Sequence, residues 1–341
     1  MIGLRRGSGA APSGRRPASP PTGFDPSSGA TVPLRAEGVV RRHRSGRGIF
    51  DLDLSVTGGE VVSVLGPNGS GKTTLLRVLG TVDPAQAGSI AWFGRRERRD
   101  PAVRRALGVV LDGTAHFEAM TGYQNAWFFA RRFGLDEVRA RERLNRLFAW
   151  SGLAEAVHRP VEEYSLGMRR RLALVQALCH RPRLLLLDEP TLGLDWAGSV
   201  DLIEMLRRLA RGGAGVVVAT NDVHLAERLG GRVVFLDRGR AVRQGTVAEL
   251  LAEVAGRQRV ELDLRAPVPL RGLGAQPGVE AVGVAGTTVR LLLAGKADPV
   301  RVLRGLDGHA HLLAGLRVER PHLGDAFFRL TGRPLEGGGE P

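Results

Sequence analysis

The sequence predicts an α/β fold in which helices cover both faces of a mostly parallel sheet. Three apolar runs without alternation carry this prediction, GEVVSVL at 59–65, RLLLLDEP at 183–190 and GVVVATND at 215–222. Such runs are typical of strands that are buried on both faces. Helical patterns precede the last two runs, so strands and helices are expected to alternate along the middle of the chain.

The composition limits the class of protein. The chain has 341 residues, with 49 Lys plus Arg against 35 Asp plus Glu and a formal net charge of +14. Its length is sufficient for two domains of about 100–200 residues each. The charge fits nucleic acid, an anionic membrane surface, or a nucleotide-binding protein with an arginine-biased composition. A single cysteine, Cys179, argues against a disulfide framework or a cysteine-rich metal site and fits a reduced, cytoplasmic compartment.

The first part of the chain predicts a tail followed by strands. Residues 1–33 are rich in Pro, Gly, Ser and Arg and lack an apolar signal-peptide core, so we expect a disordered tail. Short strands are expected at 34–43 and 49–56. No stretch reaches the roughly 20 apolar residues of a transmembrane helix. If the protein works at a membrane, another chain is expected to cross it.

Two further segments differ from the parallel sheet. Apolar residues at helical spacing between 122 and 158 predict a helical insertion at about 114–165. From about 251, strand-like runs at 260–265, 279–284 and 288–294 and helical patterns at 298–306 and 323–333 predict a separate small α+β unit. Residues 334–341 are expected to form a second disordered tail.

A glycine-rich loop lies between a predicted strand and a predicted helix. It matches the pattern G-x-x-x-x-G-K-[ST], in which glycines let backbone amides converge on phosphates at a helix N-terminus. Lys72 would then reach the β- and γ-phosphates of ATP, and the Thr73 hydroxyl would bind Mg²⁺. The candidate nucleotide-binding residues are Gly66, Pro67, Asn68, Gly69, Ser70, Gly71, Lys72, Thr73 and Thr74.

The lysine in this loop is itself informative. The chain contains only two lysines, Lys72 and Lys296. Arginine is a planar fork, whereas lysine is a compact charge on a thin stem that reaches into a tight cavity. The presence of lysine at position 72 therefore indicates a narrow loop around a small anion.

Two other segments carry polar residues at expected element ends. Asp188 and Glu189 follow a buried strand, where Asp188 suits the Mg²⁺ shell and Glu189 suits polarising the attacking water. Alone, this pair would be interpreted as the end of an ordinary strand, but the presence of Lys72 elsewhere in the chain favours the functional interpretation. In YSLGMRRRLALVQAL, Ser165 and Gly167 begin a helix. Two interpretations of this helix start are open. Its free backbone amides could bind an anion, or Ser165 could simply cap the helix.

The order GPNGSGKTT, YSLGMRRRLALVQAL, LLLLDEPTLGLD resembles the nucleotide-binding subunit of an ABC transporter, over roughly residues 34–333. The closing LGDAFFRLTGR resembles the C-terminal motif of ATPases that serve ABC-2 type exporters. The resemblance implies a P-loop ABC ATPase domain at 34–250 with a helical subdomain. It also implies a C-terminal accessory domain at 251–333.

The resemblance further implies an assembly. Two such domains would sandwich two ATP molecules head to tail, with Ser165 and Gly167 touching the γ-phosphate held by the other chain's Lys72. Asp195 would cross the interface, and His43 would lie near the adenine. The implied partners are a second ATP-binding subunit, in a homo- or heterodimer, and a separately encoded transmembrane permease subunit. The chain would then be peripheral, at the cytoplasmic face of the membrane.

Two positions depart from the family pattern. Asp112 aligns with a glutamine that usually joins Mg²⁺ to the transmembrane subunit, and its shorter, charged side chain is expected to meet Mg²⁺ through water. Asn221 aligns with a histidine that contacts the γ-phosphate. His224 is interpreted as a helix-face residue rather than a displaced histidine of this kind. We therefore expect ATP hydrolysis to be slow.

Three functions remain in competition at this stage. The leading one is an ATPase subunit that drives a separate membrane exporter. A soluble ABC ATPase acting on ribosomes or DNA is favoured by the charge, but such proteins generally carry two ATPase domains or long coiled-coil arms, so nucleic acid is not the expected partner. A regulatory switch with little hydrolysis is favoured by Asp112 and Asn221.

Overall fold

The computed structural model describes residues 32–111, 116–267, 273–299 and 310–335. Most of both predicted tails, as well as Asp112 and most of the helix predicted at 298–306, lie outside these ranges. The inner ends of the tails belong to the fold. The carbonyl of Pro33 accepts a hydrogen bond from the Phe93 amide at 3.0 Å, and Leu335 is buried.

The first half of the chain begins with three strands, alternates helices and strands in its middle, and ends with three helices. Its strands are β1 Leu34–Arg42, β2 Gly48–Val56, β3 Val61–Leu65, β4 Ala87–Trp92 and β5 Leu107–Val110. Its helices are α1 Lys72–Leu79, α2 Pro101–Ala106, α3 Gly122–Arg132, α4 Glu137–Ser151 and α5 Leu166–Leu178.

The second half continues this alternation and ends in an antiparallel unit. It contains β6 Leu184–Asp188, α6 Trp196–Arg211, β7 Gly215–Thr220, α7 Val223–Leu229, β8 Arg232–Asp237, β9 Arg240–Thr246 and α8 Val247–Ala252. The C-terminal part contains β10 Gln258–Leu264, β11 Val279–Ala285, β12 Thr288–Leu293, β13 Leu313–Glu319 and α9 Leu323–Thr331.

A six-stranded sheet in the order β5-β6-β7-β3-β8-β9 forms the centre of the fold. All neighbours are parallel except β9, which is antiparallel to β8. Every residue of β3, β6 and β7 is buried, as their apolar sequences predict. The register pairs Leu65 with Thr220 and Asp188 with Ala219, so the carboxyl ends of these three strands lie side by side.

An antiparallel sheet in the order β2-β1-β4 covers one side of α1. The strands predicted at 34–43 and 49–56 are thereby confirmed as β1 and β2. The indole nitrogen of the buried Trp92 donates to the carbonyl of Leu79 at 2.7 Å. This bond ties the last turn of α1 to β4, which fixes the helix that follows the glycine-rich loop.

The segment between β5 and β6 is helical, as the spacing of its apolar residues predicts. Helices α3, α4 and α5 pack around a core that includes Leu144, Phe148 and Leu172. Thr121 and Gln124 form a capping box at the start of α3, and Asp136 caps α4. These caps explain why each helix begins where it does.

The C-terminal strands form an antiparallel sheet in the order β11-β12-β10-β13, which confirms the predicted strand-like runs. Helix α9 does not pack on this sheet alone. Phe327 of α9 is fully buried, and its ring lies edge-on to that of Phe235 on β8, with centroids 5.5 Å apart. One apolar cluster includes Leu65, Val223, Leu292 and Phe327. The C-terminal segment therefore completes part of the core beneath the central sheet.

Among the helices in the described part of the chain, none combines the length and the apolar character needed to cross a membrane.

Replacement of Phe327 by alanine should destabilise the fold strongly. Loss of a buried phenyl ring typically costs about 3–5 kcal/mol, because a cavity remains. Leu330→Ala is the matched control, since Leu330 lies on the same helix but is exposed. Urea unfolding followed by circular dichroism measures both variants. Equal unfolding midpoints for the two would contradict the packing described here.

Candidate functional site

A glycine-rich loop, Gly66–Gly71 (called here the glycine loop), connects β3 to α1. Gly69 and Gly71 have φ angles of 78° and 108°, which favour glycine. A side chain on Gly66 would collide with the carbonyl oxygen of Leu236. Gly71 precedes α1 without a side-chain cap, so the amides of the first helical turn receive no hydrogen bond from a capping side chain. This arrangement is suited to an anion at the helix N-terminus.

Lys72 lies almost buried at the start of α1. Its ammonium donates to the carbonyls of Gly66 at 2.7 Å and Pro67 at 3.2 Å, and it lies 3.6 Å from Oε1 of Glu189. Burial lowers the pKa of this ammonium, and the charges of Glu189 and Asp188 oppose that change. The lysine therefore lies in a narrow space bounded by backbone carbonyls, as the presence of a lysine in this arginine-rich chain predicts. Thr73, the next residue, is exposed.

Asp188 and Glu189 end strand β6 beside this lysine. Asp188 is buried, and Glu189 has a φ of 41°, in the left-handed region that a non-glycine residue seldom adopts. Oε2 of Glu189 accepts a hydrogen bond from the Thr220 hydroxyl at 2.8 Å, and Oε1 accepts one from the Asn221 amide at 3.0 Å. Burial raises the pKa of Glu189, while Thr220 and Lys72 oppose the rise. The carboxylate is thus held in one orientation.

Asn221 and His43 lie next to the same loop. The side-chain amide of Asn221 donates to Oδ1 of Asn68 at 3.3 Å. A ring nitrogen of His43 lies 3.0 Å from the hydroxyl of Thr74. The structure therefore brings the predicted residues of the glycine loop together with Glu189, Asn221 and His43.

Ser165, Gly167 and Asp195 form a second group (called here the α5–α6 group). Ser165 caps α5 by accepting from the Met168 amide at 3.2 Å, and Asp195 caps α6 by accepting from the Gly198 amide at 2.8 Å. A side chain on Gly167 would collide with the carbonyl of Gly193. Within the described ranges, no hydrogen bond or ion pair joins the α5–α6 group to Lys72.

Two contacts of the site were not anticipated from the sequence. The hydroxyl of Thr220 holds Glu189, as described above. The guanidinium of Arg170 on α5 donates to the carbonyl of Glu189 at 2.9 Å and to that of Leu111 at 3.1 Å. The position of Thr220 at the end of an apolar strand was the only available signal for the first. Nothing in MRRR distinguishes Arg170 from its neighbours.

Two other predicted positions lie apart from this arrangement. Asp112 is outside the described residues, so its proposed contact with Mg²⁺ stays a prediction. His224 is exposed on α7, and its ring faces that of His322 with centroids 6.1 Å apart. That contact is consistent with the interpretation of His224 as a helix-face residue.

Comparisons with known proteins identify the family. A family model described as ABC transporter matches residues 49–192. A daunorubicin resistance ATP-binding protein of Streptomyces coeruleorubidus is 37% identical over 313 residues, covering 89% of this chain and 97% of the relative. A Nod factor export ATP-binding protein I of Rhizobium sp. (strain N33) is 36% identical over 288 residues, covering 84% and 92%.

A solved ATP-binding subunit of an ABC transporter is similar in structure. It is 26% identical, superposes with a TM-score of 0.61, and covers 64% of this chain and 92% of its own. The expected P-loop ABC ATPase fold is thereby confirmed. The chain belongs to the ABC transporter family, as one of its ATP-binding subunits.

Proposed function

We propose that this subunit hydrolyses ATP to energise export through a separate membrane-spanning chain, at whose cytoplasmic side it binds peripherally. The convergence of Lys72, Glu189 and Asn221 at the carboxyl ends of β3, β6 and β7 carries the proposal. The names of the relatives, which concern drug resistance and Nod factor export, support export as the direction of transport.

ATP binding is assigned to the glycine loop and the start of α1. The free amides of this helix start would bind the phosphates. Lys72 would exchange a carbonyl contact for the β- and γ-phosphates, and its burial strengthens that interaction because water is excluded. His43 contacts Thr74 near the start of α1. We therefore place the adenine of the nucleotide beside His43, beyond the phosphates.

Magnesium fits the donor set at this site. Mg²⁺ prefers oxygen ligands and is usually held by one or two carboxylates together with substrate phosphates. The described ranges contain no group of three or more His, Cys, Asp or Glu side chains that could hold a metal ion without the nucleotide. We therefore assign Mg²⁺ to the Thr73 hydroxyl and the Asp188 carboxylate, where it would offset phosphate charge when bound. Asp112 remains a predicted third contributor.

Glu189 is proposed as the general base. Its carboxylate would take a proton from the water that attacks the γ-phosphorus, and ADP would leave with the displaced oxygen. Thr220 and the Asn221 amide orient this carboxylate toward the space in front of Lys72. The side-chain amide of Asn221 would donate a neutral hydrogen bond to the γ-phosphate. Because an amide gains no positive charge, this contact is weaker than one from a protonated imidazole.

A second ATP-binding subunit would complete the site. In the described part of the chain, no hydrogen bond or ion pair joins the α5–α6 group to its own glycine loop, so the proposal places this group against the loop of a partner subunit. Three exposed apolar side chains surround this group, Leu166 at 67%, Leu192 at 55% and Trp196 at 77% exposure. Exposed apolar residues of this size mark a surface that becomes covered in an assembly.

Lys72→Arg should abolish tight ATP binding although it keeps the charge. The larger guanidinium cannot occupy the space bounded by the Gly66 and Pro67 carbonyls. A charged hydrogen bond contributes roughly 1.5–3 kcal/mol, so the affinity should fall about 10- to 150-fold. Isothermal titration calorimetry measures it. The control is Lys296→Arg, at the only other lysine, which is exposed. Parental affinity in Lys72→Arg would refute the assignment.

Glu189→Gln should trap an ATP-bound dimer. The substitution preserves shape but removes the proton acceptor, so turnover should fall by about 10²- to 10⁴-fold. Size-exclusion chromatography with light scattering would then detect a dimer that persists in ATP. Glu155→Gln, at an exposed glutamate, is the matched control. Turnover at the parental rate in Glu189→Gln would show that another group activates water.

Asn221→His should raise turnover at saturating ATP and change nucleotide affinity little. A charge-assisted hydrogen bond contributes roughly 1.5–3 kcal/mol against about 1 for a neutral one, which predicts a gain of about five- to thirtyfold. A phosphate-release assay measures it, and His224→Asn should leave turnover unchanged. Unchanged or lower turnover in Asn221→His would mean that Asn221 does not contact the γ-phosphate.

A further inference from the structure

The hairpin turn between β8 and β9 supports the glycine loop from behind. The amide of Gly239 in this turn donates to the carbonyl of Ser70 at 2.8 Å. The carbonyl of Leu236, at the end of β8, occupies the place that a side chain on Gly66 would need. The turn therefore contacts the glycine loop at two points, near its first residue and near its last.

The turn has a conformation that must be held by its surroundings. Asp237 pairs with Arg240 across the hairpin, and the two residues between them have positive φ angles, 46° for Arg238 and 78° for Gly239. Two-residue hairpin loops of this kind need positive φ at both positions. For a non-glycine residue such as Arg238 this conformation is unfavourable. Gly239 is also enclosed, because a side chain there would collide with the carbonyl of Gly48.

Arg333 binds the turn from the C-terminal end of the described chain. One guanidinium nitrogen of Arg333 lies 2.5 Å from Oδ1 and 2.6 Å from Oδ2 of Asp237. Asp237 is largely buried and Arg333 is 37% exposed, so water only partly screens the pair. The two residues are separated by 96 positions in sequence.

Arg333 is held in place by the end of α9. Its amide donates to the Thr331 hydroxyl at 3.3 Å, and that hydroxyl donates to the carbonyl of Phe327 at 2.9 Å. Phe327 in turn packs on Phe235, two positions before the end of β8. The backbone of Arg333 is therefore anchored to the strand whose turn its side chain binds, so less backbone freedom is lost when the ion pair forms.

We propose that Arg333 is a positioning residue for ATP binding: through Asp237 it holds the β8–β9 turn, and thereby the glycine loop, in the conformation that receives the phosphates. The C-terminal segment thus supports the nucleotide site of its own chain through the β8–β9 turn. This inference rests on the proposed ATPase function. It adds a residue that touches neither the nucleotide nor the glycine loop.

The expected consequence is a change in affinity rather than in maximal rate. The glycine loop binds the phosphates in the ground state as well as in the transition state, and loss of such uniform binding raises KM with little effect on kcat. Mutations that act on a binding site through neighbouring residues typically change the affinity at that site by about two- to thirtyfold. Glu189 is not moved, so the chemical step should proceed at its usual rate.

The test compares Arg333→Gln, Asp237→Asn and the double variant in the full chain. Calorimetry with ATP should show a Kd raised by about two- to thirtyfold in each single variant. The double variant should show no further rise, because both changes break the same pair. Arg329→Gln is the matched control, since Arg329 lies near the end of α9, is similarly exposed and pairs with Glu280 instead. Its Kd should equal that of the parent.

Steady-state kinetics and thermal unfolding separate positioning from simple stabilisation. KM for ATP should rise while kcat stays within about twofold, and Arg333→Lys should recover part of the affinity because it restores the charge. A lower melting temperature with unchanged Kd, or additive effects in the double variant, would overturn the inference. Absence of ATP binding in the parental protein would instead refute the proposed function.

Discussion

The parallel pairing of β7 with both β3 and β6 is the constraint on which the candidate site depends. It places the glycine loop, the Asp188–Glu189 pair and the Thr220–Asn221 pair at one edge of one sheet. A shift of one residue in this register would turn each strand's side chains to the opposite face. The site is therefore a product of the core rather than of the loops alone.

The Lys72–Glu189 contact is better explained by function than by stability. Lys72 is buried and Glu189 is half-buried, and burial disfavours the charged form of each, as the directions of their pKa changes indicate. An ion pair taken out of water often contributes little to stability, because desolvation offsets attraction. Under the proposed function, its value is that two opposite charges are held in fixed positions where a phosphate and a water molecule would meet.

The sequence predicted the local parts of the site well and the long-range parts poorly. The glycine loop and the acidic pair were identifiable because each motif consists of residues that directly follow one strand in the sequence. Thr220 was missed because its role depends on strand register, and Arg170 because its role depends on how α5 packs. Asp237 and Arg333 lie on two segments that come together only because α9 packs against the central sheet. The apolar cluster that joins the C-terminal helix to the central sheet likewise depends on long-range packing and was not predicted, and the separate C-terminal domain stays a prediction.

His43 and Arg333 come from opposite ends of the described chain; His43 contacts Thr74 directly, whereas Arg333 reaches the glycine loop only through Asp237 and the β8–β9 turn. During synthesis the glycine loop would therefore leave the ribosome long before Arg333, the last residue that supports this loop. A nascent chain that stops short of α9 would carry the whole ATP-binding motif without the buried Phe327 and without the clamp on the β8–β9 turn. The full affinity for nucleotide would consequently be reached only after residue 333 had been translated.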